Sequence, residues 1–315
     1  MMSSYNSRLR GTKPLNKDEY GNIALGTLDN DFDTIMAKIS DTNISPDEKK
    51  ILDKLQYKKL ASYNWLETTN DTFLRILNLR QFFGVDSLNE LQLTQQVAFR
   101  QSNRKDINPY ALATWLRKGE LESIDLELPM YSHEKFKNAI PQIRQVACEL
   151  PRDFFIQMVN ILHETGVGLI GVINPPNTAV NGTTRKLYGK IIIQMSIHLK
   201  RADIFLFSLL HEIAHILLHD IENQAFISLN PNKRTRDSKE DKEELEADNF
   251  ASEELIKSAL FNEFIAKNNF DMPAIKYFAK QTNVHPDIIM GRLEHMKIVP
   301  YKRFAKHYTK LYYAT

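Results

Sequence analysis

Polar and apolar positions fall into phased runs only after residue 44. Residues 1–44 are polar and carry no sustained period, which predicts an N-terminal arm outside any packed domain. From Ser45 the run SPDEKKILDKLQYKKL sets a capping serine before a proline, then early acids, then Ile51, Leu52 and Leu55 at helical spacing. Three more helical stretches follow: DTFLRILNLRQFF closing on Gly84, then LNELQLTQQVAFR, then NPYALATWLRKGE closing near Gly119. Residues 45–130 therefore read as a helical domain.

The segment LESIDLELPMYS near 121–132 interrupts the helices and reads as a connector, which places a second domain over residues 131–315. In it, RDFFIQMVNILHETGVG reads as a helix ending at Gly166. The β-branched runs GLIGVI and GKIIIQMSI read as strands, with an Asn-Gly turn in the stretch VNGTTRKLYG between them. The second of these strands is a candidate sheet edge for an extended peptide. Next come the apolar helix DIFLFSLLHEIAHILLH, capped by Asp203, and a polar loop of roughly 20 residues. A helix with an acidic front, EELEADNFASEELIKSAL, carries Ala247, Phe250, Ala251 and Leu255 on its apolar face, and one or two short helices with a turn at His285-Pro286 complete the chain. Helices followed by a short sheet and more helices define an α+β class.

At 315 residues and 43% hydrophobic, the chain is long enough to bury a sizeable core. Its net charge of +2 supplies no strong overall field for nucleic acid or an anionic membrane, so direct DNA binding is not expected. Cys148 is the single cysteine, which excludes an intrachain disulfide and a thiolate metal cluster. No stretch has the roughly 18 apolar residues of a membrane span, and the start lacks a signal core, so the expected location is cytoplasmic.

One stretch changes this bland picture. LFSLLHEIAHILLHD places His211, His215 and His219, with Glu212, on an apolar helix where unpaired imidazoles and a carboxylate would cost several kcal/mol to bury. His211 and His215 are four residues apart, on one helix face and about 6 Å along the axis, so both can reach one Zn²⁺. Glu212, rotated about 100° from His211, would serve as general base toward water. By chance this spacing arises in roughly 2 of 100 such chains, so a third ligand is needed to decide. EELEAD, roughly 30 residues downstream, supplies carboxylates. Glu244 and Asp248 share a helix face with Ala247 and Ala251, small residues that permit a close approach. Glu244 is the favoured ligand and Asp248 the partner that orients a ligating histidine, with Glu243 and Glu246 as rivals for the ligand role. His219 lies about 12 Å along the axis from His211, too far to share an ion with it, and reads as a bystander favouring the helix dipole. His285 and Arg292, in HPDIIMGRL, are candidates to contact the substrate or transition state.

HEIAHILLHD followed by EELEADNFASEELI resembles the ImmA/IrrE family of zinc metallopeptidases, whose sequences pair HExxH with an E-x-x-x-(N/D)-x-F-A segment. Glu244, Asp248, Phe250 and Ala251 fall on that second pattern, and KIIIQMS and HPDIIMGRLEHM are also similar, so the resemblance covers about 151–300. Upstream stretches resemble the middle region of longer members that begin with a helix-turn-helix, a pattern not recognisable in residues 1–44. The resemblance implies a small zincin-like domain with a short twisted sheet, Zn²⁺ as cofactor, and a zinc metalloendopeptidase. Its substrate would be a separate helix-turn-helix repressor, cleaved to derepress genes in a mobile-element, phage, stress or defence setting. The alternative is a zinc-binding module that regulates its partner by association, without proteolysis.

Overall fold

The computed structural model describes residues 44–91, 108–178, 180–197, 201–221, 226–229 and 239–311. The arm at 1–44 falls almost wholly outside them, as do most of LNELQLTQQVAFR and most of the polar loop after residue 221.

Helix α1 (Pro46–Lys54) begins at the proline, as its start signal predicts, and buries Ile51 and Leu52. Its Glu48 does more than complement a dipole. The buried carboxylate accepts from Arg80 Nε at 2.9 Å and Nη2 at 2.7 Å, and from the Leu88 backbone N–H at 2.9 Å. It thus ties α1 to α3 (Thr72–Phe83), with the short α2 (Tyr57–Ser62) between them. Helix α3 starts on the Asp71 side chain and stops at Gly84 in the left-handed region.

Helix α4 (Pro109–Ile124) does not stop at Gly119 but runs five residues further. That glycine serves a close approach instead of a cap. A Cβ there would lie 1.9 Å from Gln194 Oε1, in a place where Gln194 Nε2 donates to the Trp115 carbonyl at 2.7 Å. Helix α5 (His133–Glu149) carries Pro141 inside it; Ser132 caps it, and Phe136, Ala139, Ile140, Ile143 and Val146 form its buried face. Helix α6 (Phe154–His163) follows.

The sheet has four strands in the order β1-β3-β2-β4, with β1 (Val167–Val172), β2 (Val180–Leu187), β3 (Lys190–Ser196) and β4 (Phe226–Leu229). β1 runs parallel to β3, while β2 pairs antiparallel with both β3 and β4. Three expectations need correction. VNGTTRKLYG is mostly a strand, and its hairpin turns at Tyr188-Gly189, where both residues have positive φ, not at Asn181-Gly182. GKIIIQMSI is a central strand and cannot act as an edge. Part of the expected polar loop is β4.

The run IIIQM is apolar without alternation because both sheet faces are covered. Ile191, Ile193 and Met195 enter the main core, whereas Ile192 packs with Leu112 and Trp115 of α4. A register shift between Val180 and Gly182 turns β2 over locally. Val180 packs with the α4 cluster, while Gly182 faces the helix on the other side.

That helix is α7 (Ala202–Leu218), buried along almost its whole length. Its N-cap is Arg201, not Asp203, whose side chain is drawn into an ion pair with Arg201 at 2.7 Å and makes no cap. The acidic-fronted segment forms two helices, α8 (Lys239–Leu255) and α9 (Ser258–Ala266). Helices α10 (Met272–Thr282) and α11 (Pro286–His295) complete a mixed α+β fold, and among the described residues no helix is long and apolar enough to cross a membrane.

Candidate metal centre

Helix α7 holds its functional side chains where water is scarce. His211 and His215 are 3% and 0% exposed, and Glu212 is fully buried. Across from them α8 presents Glu244 from a face whose Ala247 and Ala251 are both fully buried, so small side chains fill the contact between the helices. His211 Nε2 lies 3.0 Å from His215 Nε2 and 3.5 Å from Glu244 Oε2, and His215 Nε2 lies 3.2 Å from Glu244 Oε1. Ligands at 2.0–2.1 Å on a tetrahedral ion are separated by about 3.3 Å. The donor set therefore fits one zinc-sized ion, and among the described residues it is the group of three metal-binding side chains that lies close enough to hold one.

The outer nitrogens are also engaged. His211 Nδ1 meets Asp248 Oδ1 at 2.9 Å, the partner expected from the helix spacing, which leaves Nε2 directed inward. His215 Nδ1 meets His219 Nδ1 at 3.0 Å, and His219 Nε2 reaches Glu246 Oε2 at 3.1 Å. His219 is thus no bystander. It terminates α7 in an extended conformation and folds back behind His215. Of the two rival carboxylates, Glu246 is committed to His219, and Glu243 does not join the cluster.

Charge in the cluster is shared. Burial alone would depress His211, but the hydrogen bonds it donates to the Asp248 and Glu244 carboxylates outweigh it and raise the imidazolium to about 10. Burial pushes His215 down to about 4, helped by neighbouring His211. Burial also opposes the charge of Glu244, yet the two imidazoles hold its carboxyl well below the usual range.

Glu212 points toward the sheet. Thr184 Oγ1 donates to Glu212 Oε2 at 2.7 Å and lies 3.2 Å from the Glu212 carbonyl. Gly182 clears space for the same carboxylate, because a Cβ there would fall 2.6 Å from Oε1 and 2.8 Å from Cγ. The Phe226 ring of β4 stacks on His215 at 4.1 Å and 15°. Thr184, Gly182 and Phe226 escaped sequence reasoning. Asn-Gly looked like a turn, and nothing local says which strand a buried glutamate will face.

His285 and Arg292 are placed elsewhere. The His285 ring caps α11 by accepting from the Asp287 N–H at 3.3 Å. Arg292 donates to the carbonyls of Ser252 at 3.3 Å and Ile256 at 2.5 Å, and to Ser258 Oγ at 2.9 Å. It closes the end of α8, about 12 Å along that helix from Glu244, and so clamps the α8–α9 junction.

A small mixed sheet backing a buried HExxH helix, with a carboxylate delivered by the next long helix, is the architecture of a metallopeptidase-type domain. Residues 191–293, from β3 through α11, match the Peptidase_M78 family model, described as an IrrE N-terminal-like domain, a match that supports an ImmA/IrrE-family assignment for this part of the chain. No curated protein matches the chain.

Proposed function

We propose that the protein is a zinc-dependent endopeptidase that cleaves a separate regulatory protein of the helix-turn-helix repressor type. The observation that carries the metal assignment is the convergence of His211 Nε2, His215 Nε2 and Glu244 on one point, with Asp248 behind His211. Such a donor set suits Zn²⁺, which when bound would polarise a peptide carbonyl and make water nucleophilic near neutral pH. Glu212 is the base that takes the proton from the attacking water and passes it to the leaving amine. Thr184 orients its carboxylate, and the buried walls of α7 and β2 limit competing solvent. The edge strand beside the centre is β4, which pairs with β2 among the described residues and places Phe226 against His215. It suits an extended substrate added by main-chain hydrogen bonds. The intact base supports proteolysis over a purely structural zinc site, which needs none.

The test mixes zinc-loaded protein with candidate helix-turn-helix repressors, any encoded beside it first. The parent shortens the repressor and Glu212→Gln does not, while both hold stoichiometric zinc. Binding without shortening by the parent would replace this reading with a regulatory module acting by association.

A further inference from the structure

The net charge of +2 hides a strong local segregation. Residues 295–311, HMKIVPYKRFAKHYTKL, carry Lys297, Lys302, Arg303, Lys306 and Lys310 and no acid, which leaves the remainder of the chain net acidic. All five cations are exposed, and Tyr301 stands among them 67% exposed. Solvated charges are common on any surface; what distinguishes this stretch is how firmly its backbone is held. Val299, Phe304 and Leu311 are buried anchors. Glu294 accepts from the Phe304 N–H at 3.3 Å, and Asp287 accepts from the Thr309 N–H at 2.8 Å. Arg201 bridges to Lys310 through the backbone and lies 3.6 Å from the Tyr308 ring centroid. Among the described residues, the acids that meet the segment are engaged beneath it: Asp203 and Glu294 are both paired with Arg201, and Asp287 is only 1% exposed. Those anions lie inside, while the five cations lie outside on a segment of turns.

We propose that this C-terminal face binds the phosphate backbone of double-stranded DNA without reading sequence. Four of its five cations are lysines, compact point charges that can meet phosphates without fixing a bidentate geometry, which suits a contact that reads no sequence. Lysine is also depleted at protein–protein interfaces. The exposed Tyr301 adds a hydroxyl able to donate to phosphate. The face lies at the N-terminal end of α7, about 15 Å along its axis from His211. This inference does not depend on proteolysis, and zinc plays no part in it.

The test is fluorescence anisotropy of the full chain with a labelled 24-base-pair duplex of arbitrary sequence, across a salt series. Five phosphate contacts give a slope of log K against log salt of about −4.5, or about a 500-fold loss between 50 and 200 mM salt. The triple substitution Lys302→Gln, Arg303→Gln, Lys306→Gln should reduce the slope magnitude by about 2.7. An unchanged melting temperature shows that this variant is folded. A control triple on α1, Lys49→Gln, Lys50→Gln, Lys54→Gln, should leave the slope in place. The proposal is overturned by absence of duplex binding at 50 mM salt, or by an equal loss in the α1 control. Equal or tighter binding of polyglutamate, or of phosphatidylserine vesicles, also overturns it, in favour of an acidic protein or a membrane surface.

Discussion

Replacing Gly182 by alanine tests whether β2 is shaped around the base. The added Cβ would sit 2.6 Å from Glu212 Oε1 and 2.8 Å from its Cγ, inside ordinary contact distance by about 0.7–1 Å. Two relaxations are open. The carboxylate can swing away, which breaks the 2.7 Å hydrogen bond from Thr184 at a cost of about 1.5–3 kcal/mol. Alternatively the strand can shift, an overpacking cost of about 1–3 kcal/mol. The expected loss of stability is therefore about 1–3 kcal/mol by either route, measured by urea unfolding of the zinc-free protein. Zinc stoichiometry should not change, because the ligands stand on α7 and α8. Cleavage of the partner should fall at least tenfold if the carboxylate yields, and much less if the strand does. Gly189→Ala is the matched reference. Its Cβ would meet nothing within 4 Å, yet its φ of 76° makes a side chain cost about 1–2 kcal/mol, with no effect on cleavage. A Gly182→Ala protein within 0.5 kcal/mol of the parent and equally active would refute the argument.

Three further outcomes follow from the same structure. Because His211 is held protonated to about pH 10 in the metal-free protein and must lose its proton to bind zinc, binding at pH 7 should release about one proton. Affinity then rises as pH rises toward 10, and titration calorimetry in buffers of different ionisation enthalpy will show the release; buffer-independent heats would contradict it. Asp248→Asn should weaken zinc about 10–100-fold in a chelator competition, and Glu246→Gln, one shell further out, should weaken it far less. Breaking the buried Glu48–Arg80 pair with Arg80→Met should cost about 3–5 kcal/mol in chemical unfolding, whereas replacing both residues with well-packed apolar ones should recover most of it.

Much of the site was legible because its parts are local. His211 and His215 share a face through helix periodicity, and the same rule puts Glu244 in register with Asp248, so two helices could be read as two halves of one centre before either was placed. Helix limits at Pro46 and Gly84 were legible for the same reason, since capping chemistry acts within a turn. Whatever depends on which surfaces meet was not. Gly119 and Gly182 look like a helix stop and a turn, and they are close approaches to Gln194 and Glu212, set by elements 75 and 30 residues away. His219 reads as a dipole partner until the end of α7 folds it behind His215. His285 and Arg292 read as site residues until α11 is seen to use them for capping and clamping. The charge run at 295–311 is plain in the sequence, but its consequence depends on burial of Asp287 and Glu294 beneath it. Periodicity and donor chemistry act over a few residues and are carried by the chain itself. Register, burial and the assignment of each polar atom to a partner arise only when distant segments compete for the same space.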